Sequence, residues 1–385
     1  MQGSGISMPS NPLRVLIVFG TRPEAIKMVP VIRALETLAP KCIVRTCATA
    51  QHREMLDQVL QVFHLTPDID LHLMQPGQSL SGIGSRVLAA MEEVLVAEQP
   101  DWVLVQGDTT TVMMTALAAK HRQMCVGHIE AGLRTYDRAN PFPEEMNRVV
   151  TDHVSDLLFA PTEIARTQLL REGIDTHRIV VTGNTVIDAL LTVAGEGWTP
   201  PTDHALNKLP ADRQWILVTA HRRENFGQPL DDICQALARI GRERQHQVHI
   251  VYPVHRNPNV WEPVHHALAG QPGITLLSPV DYRALIYLMQ RCHLILTDSG
   301  GLQEEAPSLN KPVLVLRLTT ERPEAVDAGA TRLVGTDPHR IVAETYHLLD
   351  DRIEYARMAA ACNPYGDGRA AERIGSALIA FAEHQ

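Results

Sequence analysis

The stretch that decides the fold is residues 102–129, WVLVQGDTTTVMMTALAAKHRQMCVGHI. It opens with an uninterrupted apolar run over 102–106 and closes with a second short apolar segment over 125–129. Between them, the threonines after Asp108 begin an apolar helix. Strands that are apolar throughout and joined by helices are typical of a parallel sheet covered on both faces. The stretch therefore predicts a strand–helix–strand unit of an α/β protein.

The same alternation extends along the chain in both directions. Strands are predicted at 13–19, 42–49, 102–106, 125–129, 157–160, 179–182, 215–219, 248–252, 274–277, 293–297 and 313–317. The pattern runs twice, and the intervening residues 195–214 are rich in glycine, proline and polar residues, as in a linker. We therefore expect two doubly wound α/β domains, over 13–190 and 210–365, with a cleft between them. A C-terminal helix at 366–385 is expected to pack back on the first domain.

Bulk composition excludes several classes of function. The net charge of −9 argues against broad binding to nucleic acid or to membrane surfaces. No apolar run approaches the ~18 residues of a membrane helix. The N-terminal segment 1–12 lacks the charge and apolar pattern of a signal peptide and is expected to be a disordered extension. The six cysteines include no C-x-x-C pair, which is typical of reduced thiols in a cytoplasmic protein.

In the first domain, polar segments follow two strands directly, at the edge where α/β sheets bind ligands. Residues 19–30, FGTRPEAIKMVP, contain a turn at a strand end, a proline suited to the first helical turn, and the cations Arg22 and Lys27. This segment is either an anion site at a helix N-terminus or a capped helix with solvated cations. After the strand at 102–106, either Asp108 or a threonine behind it merely caps the next helix, or Asp108 is an acid that faces the cleft.

In the second domain, two further strands end in polar segments. Residues 217–227, LVTAHRRENFG, place His221 and two arginines at a strand end, which favours a phosphate or proton-transfer site. Residues 296–317 contain Ser299-Gly300-Gly301, and paired glycines allow close approach of the backbone to a phosphate. A glutamate one turn later can accept hydrogen bonds from both ribose hydroxyls. The alternative is an ordinary glycine turn before a negatively charged first turn.

Residues 128–148, HIEAGLRTYDRANPFPEEMNR, crowd acids and arginines between a strand and a helix. Taken alone, this segment is equally a solvated connector or an acid/base site. Because the second domain carries the nucleotide-binding features, we expect the acids of the first domain to face the sugar and perform its chemistry. The sequence shows no dinucleotide-oxidoreductase or phosphate-loop signature at 19–30, and no residue set with metal-ligand spacing. We therefore expect a nucleotide-sugar enzyme that uses no metal and no cofactor.

From about residue 13 to 380, the chain resembles the non-hydrolysing UDP-N-acetylglucosamine 2-epimerases of bacteria. The blocks that carry the resemblance include VFGTRPEAIKMVP, TAQHREMLDQVL, QGDTTT, GHIEAGLRT, PFPEEMNR, VTGNTVIDAL, TAHRREN, YPVHRNPNV, TDSGGLQEEAPSLNKPVLVLR, TTERPEAV and NPYGDG. The resemblance implies a glycosyltransferase-B-like fold of two Rossmann-like domains. It also implies interconversion of UDP-N-acetylglucosamine and UDP-N-acetylmannosamine, through elimination of UDP to 2-acetamidoglucal and re-addition, in support of surface polysaccharide synthesis.

The resemblance assigns roles residue by residue. The proton-transfer carboxylates, and a histidine that assists UDP departure, match Asp108, Glu130, Glu144 and His221. The substrate- and UDP-binding positions match Arg22, Lys27, Ser299, Gly300, Gly301 and Glu305. An additional UDP-N-acetylglucosamine that acts as an activator matches Gln51, His52, Arg53 and Arg134, with a capped surface helix as the alternative. Which carboxylate removes the proton and which returns it stays open, because coupled acids can share these roles.

Homodimers are typical of this family, and one position departs from its pattern. Leu318 stands where the family usually has aspartate, so we expect a missing contact or turn cap with a modest effect. Three alternative functions remain. A hydrolysing epimerase is disfavoured by the intact TAQHREML and PFPEEMNR blocks, a glycosyltransferase requires an acceptor, and an inactive nucleotide-sugar sensor is disfavoured by the retained acids and histidine.

Overall fold

A computed structural model describes residues 12–49, 53–73, 77–139 and 141–383. The N-terminal segment that the sequence predicts to be an extension lies, except for Pro12, outside these ranges. The chain divides into two compact units. The first comprises the residues up to Ala189 together with Gly366 onward, and the second comprises Leu190–Tyr365. Among the helices that the structure describes, none is both long and apolar enough to cross a lipid bilayer.

The first unit is built on a seven-stranded parallel sheet with the order β3-β2-β1-β4-β5-β6-β7. Its strands are β1 (Leu13–Phe19), β2 (Cys42–Ala48), β3 (Ile69–Asp70), β4 (Trp102–Gln106), β5 (Cys125–Ile129), β6 (Leu157–Ala160) and β7 (Ile179–Val181). The strand order reverses between β1 and β4. In an open α/β sheet, the carboxyl ends of the strands at such a reversal form the ligand-binding edge.

The helices of the first unit cover both faces of this sheet. They are α1 (Arg22–Glu36), α2 (Arg53–Val62), α3 (Leu80–Glu98), α4 (Thr110–His121), α5 (Glu144–Val154), α6 (Glu163–Arg171) and α15 (Ala370–Glu383), together with the first residues of α7 (Thr185–Gly195), which continues past Ala189 into the second unit. Helix α1 begins with a capping box, in which Thr21 accepts from the Glu24 amide and Glu24 accepts from the cap backbone. Such caps fix where a helix begins, and so fix the loop before it.

The C-terminal helix α15 belongs to the first unit. Its first turn is bound by the Asp188 carboxylate, which accepts from the Ala370 and Ala371 amides at 3.2 and 2.8 Å. Further along, Phe381 packs edge-to-face on Trp102 of β4, with ring centroids 5.6 Å apart. These contacts attach the end of the chain to the seven-stranded sheet of the first unit.

The second unit is built on a six-stranded parallel sheet with the order β10-β9-β8-β11-β12-β13. Its strands are β8 (Gln214–Thr219), β9 (Val248–Pro253), β10 (Ile274–Leu277), β11 (Cys292–Thr297), β12 (Val313–Val315) and β13 (Thr331–Leu333). Its helices are α8 (Gln228–Glu243), α9 (Pro258–Leu268), α10 (Tyr282–Arg291), α11 (Gly300–Glu305), α12 (Pro323–Asp327), α13 (Pro338–Asp350) and α14 (Arg352–Ala359). Here the order reverses between β8 and β11.

The segment 195–214, which the sequence predicts to be a linker, packs within the second unit. Leu206 and Leu209 are buried, and the Trp198 ring lies edge-on to Tyr287 with centroids 5.8 Å apart. The indole Nε1 of Trp215 donates to the Pro210 carbonyl at 2.8 Å. Apolar side chains embedded in a polar, proline-rich stretch therefore hold this connection against the unit that follows it.

Candidate active site

In the first unit, the polar segments predicted from sequence meet at the carboxyl ends of β1, β4 and β5. The Gly107 amide donates to the Ile129 carbonyl at 3.1 Å, which joins the ends of β4 and β5. Gly20, after β1, has no room for a side chain, because a Cβ there lies 2.3 Å from Thr49 Oγ1. This close packing brings Lys27, Asp108 and Glu130 to one edge of the sheet.

Glu130 is the most constrained of the predicted acids. Its φ of 66° is in the left-handed region, which a non-glycine residue adopts only at an energetic cost. Its side chain is buried, pairs with Lys27 Nζ, and accepts from Asn184 Nδ2 at 3.2 Å. Arg148 Nη2 lies 3.5 Å from its other carboxylate oxygen. Two cations and an amide therefore hold an anionic carboxylate in a defined position.

Asp108 lies beside Glu130 and shares the same arginine. Arg148 Nη2 pairs with Asp108 Oδ2, while Asn147 Nδ2 donates to the Asp108 carbonyl at 2.9 Å. The cap of α4 is the neighbouring Thr109, whose hydroxyl accepts from the Val112 amide at 3.3 Å. The side chain of Asp108 is 32% exposed, against 6% for Glu130. The capping alternative therefore holds for a threonine and not for Asp108, whose carboxylate is the more accessible of the two acids.

Arg148 is the residue that joins the two acids. It lies on α5 and is buried, and its Nη1 donates to the Glu130 carbonyl at 2.5 Å. Burial by itself lowers the pKa of Arg148, but the charges of Asp108, Glu130 and Asp152 raise it overall. A permanently charged guanidinium thus lies between two carboxylates, a geometry that its several donors allow.

The two glutamates that begin α5 differ in environment. Glu145 is buried and accepts from the Thr135 and Tyr136 amides at 3.0 and 2.9 Å, which fixes the loop before the helix. Glu144 is partly buried at the first position of α5. Within the part of the chain that the structure describes, no hydrogen bond or ion pair joins Glu144 to Asp108 or Glu130. Glu144 therefore lies on the same loop–helix segment but outside the network around Arg148.

In the second unit, His221 follows β8 and is positioned by Asp298, which follows the neighbouring β11. The fully buried Asp298 accepts through Oδ2 from the His221 and Arg222 amides, both at 2.8 Å, and from Asn225 Nδ2 at 3.0 Å. Its Oδ1 lies 3.8 Å from His221 Nδ1. The carboxylate thereby sets the backbone of the HRREN segment and the direction in which the imidazole points.

The His221 ring is stacked on a second histidine. The rings of His221 and His255 are nearly parallel, with centroids 5.3 Å apart. Burial lowers the pKa of His221 below its ordinary value of 6.5; Asp298 opposes this shift, whereas His255 and Arg222 add to it. His221 is therefore an uncharged imidazole at neutral pH, able to donate or accept a hydrogen bond.

Gly300, Gly301 and Glu305 lie on the short helix α11, and Ser299 is the N-cap residue that precedes it. A Cβ on Gly301 lies 3.4 Å from Glu305 Oε1, so the glutamate folds back over the glycine turn. A Cβ on Gly300 lies 3.5 Å from Arg222 Nη2 and 3.9 Å from an Nη of Arg322. Two guanidinium groups thus lie beside a glycine backbone, an arrangement of charge that suits phosphate oxygens.

The structure describes the remaining predicted binding residues less completely. Arg22 is exposed at the first position of α1, whereas Lys27 is engaged with Glu130. Gln51 and His52 lie outside the described residues, and of Arg53 only the backbone, which begins α2, is described.

Arg134 is buried within the first unit. Its Nε and Nη2 donate to Glu172 at 2.7 Å each, and Nη2 also lies 2.6 Å from Asp152. Nη1 donates to the Leu133 carbonyl at 2.9 Å. The side chain of Arg134 is 0% exposed, so contact with an activator requires the residues that cover this guanidinium to move.

Leu318 is 81% exposed, and the preceding Arg317 finds its acidic partners at positions other than 318. Arg317 pairs with Glu224 and with Glu321, and its hydrogen bond to Glu321 lowers the pKa of that carboxyl to about 2. An aspartate at 318 is thus not needed to offset the charge of Arg317, which agrees with a modest effect of the substitution.

Sequence reasoning assigned no role to several residues that build these clusters. They are His128, Asn147, Arg148, Asp152 and Asn184 in the first unit, and Asn225, Asp298 and Arg322 in the second. Asp298 comes directly after β11, and Asn184 comes three positions after the end of β7; closeness to a strand end is the signal that identified Asp108. Among the described residues, no group of three or more His, Cys, Asp or Glu side chains is placed to hold a metal ion, and the lack of a cofactor stays a prediction.

Sequence comparison places these residues in a known context. The family model described as UDP-N-acetylglucosamine 2-epimerase matches residues 36–379. A curated UDP-N-acetylglucosamine 2-epimerase from Salmonella typhimurium is 54% identical over 374 residues, covering 96% of this chain and 99% of the relative. That from Escherichia coli K12 is 53% identical over 373 residues, covering 95% and 98%.

Comparison with solved structures gives the same picture. A putative UDP-N-acetylglucosamine 2-epimerase from Listeria monocytogenes has a TM-score of 0.91 at 45% identity, covering 97% of this chain and 98% of that one. The Neisseria meningitidis UDP-GlcNAc 2-epimerase, bound to UDP-GlcNAc, has a TM-score of 0.86 at 44% identity, covering 96% and 100%. The glycotransferase of kitacinnamycin shares the fold alone, with a TM-score of 0.62 at 12% identity. The expected glycosyltransferase-B-like class, with two Rossmann-like units, is confirmed.

Proposed function

Because this chain belongs to the UDP-N-acetylglucosamine 2-epimerase family, we propose that it interconverts UDP-N-acetylglucosamine and UDP-N-acetylmannosamine without hydrolysis, by eliminating UDP and adding it back. One observation carries the proposal: Arg148 joins two carboxylates, Asp108 and Glu130, at the ends of adjacent strands. Inverting C2 requires that a proton leave one face and return to the other, and paired acids suit that task.

The proposed chemistry balances without an external reactant. A carboxylate removes the proton from C2, the released electron pair forms the C1=C2 bond, and the C1–O bond breaks with its electrons leaving on UDP. The intermediate is 2-acetamidoglucal. In the second half-reaction, a proton is delivered to the opposite face of C2 while the UDP oxygen bonds to C1. An exposed intermediate escapes as a side product, so the site must exclude water during the cycle.

Asp108 and Glu130 are proposed to transfer these protons. Asp108 is the more exposed carboxylate, so we expect it to face the sugar. Glu130 is buried against Lys27, and this lysine can supply or accept a proton through their short contact. Glu144, on the loop–helix segment that also carries Arg148, is proposed as the third acid, reached once a substrate is bound. The assignment of acid and base between them stays open.

UDP is proposed to bind at the strand ends of the second unit. Gly300 and Gly301 present backbone amides and Ser299, whose own amide donates to Thr297 Oγ1 at 2.9 Å, offers its hydroxyl, while Arg222 and Arg322 lie beside Gly300 and offset phosphate charge. Glu305 folds over the same turn, where it can accept from ribose hydroxyls. His221 is proposed to donate to the departing diphosphate oxygen, because leaving-group charge develops there in the transition state. Arg22 is proposed as an additional cation toward the diphosphate.

A proton NMR time course with UDP-N-acetylglucosamine as the only substrate, in deuterated water, tests the proposal. We expect UDP-N-acetylmannosamine to accumulate to a constant ratio, with deuterium appearing at C2 of both sugars. Stoichiometric UDP with free N-acetylmannosamine instead identifies a hydrolysing epimerase. No reaction until an acceptor is added identifies a glycosyltransferase, and no reaction at all identifies a sensor.

Regulation and assembly are part of the same proposal. We propose that a second UDP-N-acetylglucosamine activates the enzyme by binding near Gln51, His52, Arg53 and Arg134. We also propose that the chain forms a homodimer. We propose that it works in the cytoplasm, where it supplies N-acetylmannosamine units for surface polysaccharide. All six cysteines are free thiols, which supports a reducing compartment. Starting the reaction from UDP-N-acetylmannosamine, with and without trace UDP-N-acetylglucosamine, tests activation: a lag that the trace removes is expected, and equal initial rates contradict it.

A further inference from the structure

A completely buried histidine lies behind the carboxylate pair. His128 is on β5, two residues before Glu130, and its side chain is 0% exposed. Its Nδ1 is 2.5 Å from Asp152 Oδ1, and its Nε2 is 2.8 Å from the carbonyl oxygen of Gly107. Gly107 immediately precedes Asp108. One imidazole ring therefore spans from helix α5 to the loop that carries a proposed proton-transfer acid.

The partners of the two ring nitrogens determine how many protons the ring holds. A carbonyl oxygen can only accept, so Nε2 carries a hydrogen. The second oxygen of Asp152 accepts from Gly132 N at 3.1 Å and lies 2.6 Å from Arg134 Nη2. Burial by itself raises the pKa of Asp152, but His128, Arg134 and Arg148 lower it overall. Asp152 is therefore an ionised acceptor, and Nδ1 also carries a hydrogen.

The charges around the ring lead to the same conclusion. The buried and partly buried charged groups that face His128 and its partners fall into two sets: Asp152, Glu172 and Arg134 on one side, and Asp108, Glu130, Lys27 and Arg148 on the other. The titratable His153, whose Nδ1 is 4.0 Å from Glu172, is half exposed and is counted in neither set. The second set is neutral by itself. The first set carries one excess negative charge unless His128 is positive. Buried charges are stable only when they are paired, so a cationic ring completes the balance.

We propose that His128 is a positioning residue that carries both ring protons and, as a buried imidazolium, links the Asp152 carboxylate to the Gly107 carbonyl. This proposal deepens the proposed epimerase function and rests on it for its kinetic consequence. The link fixes the loop after β4, where Gly107 has a φ of 86°, and the loop after β5, where Glu130 has a φ of 66°. Both angles are in the left-handed region. The imidazolium sets the spacing of Asp108 from Glu130, on which proton transfer to C2 depends.

Nitrogen NMR of the protein labelled with ¹⁵N-histidine tests the protonation state directly. The signals of His128 are assigned by their loss in His128→Gln. We expect both ring nitrogens of His128 to resonate as protonated, because Asp152 and the Gly107 carbonyl are both acceptors. In Asp152→Asn, one nitrogen should become unprotonated. A wild-type ring with one unprotonated nitrogen at neutral pH overturns the proposal.

The kinetic arm separates positioning from general stability. His128→Gln should lower kcat about tenfold or more, since a small misplacement of reacting groups has effects of that order, while the KM for UDP-N-acetylglucosamine changes about twofold or less. His153→Gln, a half-exposed histidine on α5, is the matched control and should keep the wild-type kcat. A normal kcat in His128→Gln overturns the positioning role. The NMR arm uses no substrate, so a doubly protonated ring in a protein without epimerase activity contradicts only the proposed function.

Discussion

The Nη1 atom of Arg148 donates to the carbonyl oxygen of Glu130 at 2.5 Å, although 18 positions separate the two residues in sequence. This bond connects the N-terminal half of α5 to the end of β5. Because Nη2 of the same guanidinium pairs with Asp108, the carboxyl ends of β4 and β5 are held by a single side chain. The acid pair is thus built by the fold before any substrate is bound.

Replacing Asp108 with asparagine tests the acid/base role. Asparagine keeps the size of the side chain and can still accept from Arg148, but it cannot take up a proton. We expect turnover to fall on the order of a hundredfold or more, the scale for losing a positioned acid or base, with the UDP dissociation constant within a few-fold. Asp137→Asn, at an exposed position of the neighbouring loop, is the control and should behave as wild type. Near-normal turnover in Asp108→Asn sinks the assignment.

Replacing Arg148 with lysine tests the bridge. A lysine keeps the charge but cannot reach both the Glu130 carbonyl and the Asp108 carboxylate at once. Losing one hydrogen bond to a charged group should lower the free energy of unfolding by about 2 kcal/mol, and turnover should fall as the acids separate. Urea unfolding and steady-state kinetics measure the two effects.

The matched control for the bridge is Arg138→Lys, because Arg138 is exposed on the loop that precedes α5. This variant should leave both stability and turnover unchanged. If Arg148→Lys retains wild-type turnover despite reduced stability, the arginine supports the fold but does not organise the acids.

The pKa of His221 predicts how substrate affinity depends on pH. Burial lowers this pKa below 6.5 in the free enzyme, and the proposed diphosphate beside the ring raises it in the complex. The complex therefore binds a proton more tightly than the free enzyme does. By linkage, affinity for UDP-N-acetylglucosamine is highest below the free-state pKa and falls as pH rises toward the bound-state pKa. Calorimetric titrations across this window measure it.

His221→Gln provides the control for the pH dependence, because glutamine does not titrate. In this variant the affinity should be independent of pH through the same window. An affinity in the wild type that rises with pH, or a dependence that persists in the variant, places the diphosphate away from His221.

Glu305→Gln tests ribose recognition. A neutral amide is a poorer acceptor for two hydroxyl groups than a carboxylate, so UDP should bind about tenfold more weakly, while turnover at saturating substrate changes less. Asp327→Asn, exposed on α12, should bind UDP normally. Isothermal titration with UDP gives both constants, and an unchanged value for Glu305→Gln contradicts the ribose contact.

Most of the sheet architecture follows from local apolar patterns. The predicted bounds of 102–106, 125–129, 157–160 and 274–277 agree with β4, β5, β6 and β10, because each is a short apolar run with clear flanks. The strand predicted at 313–317 ends at Val315. Leu316 continues the apolar run and its amide still donates to the Thr297 carbonyl of β11, but its own carbonyl accepts from Asn225 Nδ2, and the Arg317 carbonyl accepts from the Gly335 amide. Strands β3 and β13, of two and three residues, are too short to give a pattern.

The acid and phosphate clusters were predictable only in part. Asp108, Glu130 and His221 follow strands directly, which is a local signal that sequence shows. Arg148, His128 and Asp152 lie inside a helix or strand, where a charged residue on an amphipathic face is usually solvated. Their roles depend on partners far along the chain, and only the assembled sheet brings those partners together. The same holds for Arg134, whose burial against Asp152 and Glu172 has no local signature.

The most direct test of the central claim is positional isotope exchange in UDP-N-acetylglucosamine labelled with ¹⁸O at the oxygen that bridges C1 and the β-phosphate. If UDP leaves C1 and returns, rotation of the free β-phosphate moves the label into non-bridging positions. We predict that ³¹P NMR will show this exchange in recovered UDP-sugar at a rate comparable to epimerisation, without net release of UDP. A label that stays in the bridge while C2 inverts contradicts elimination and re-addition.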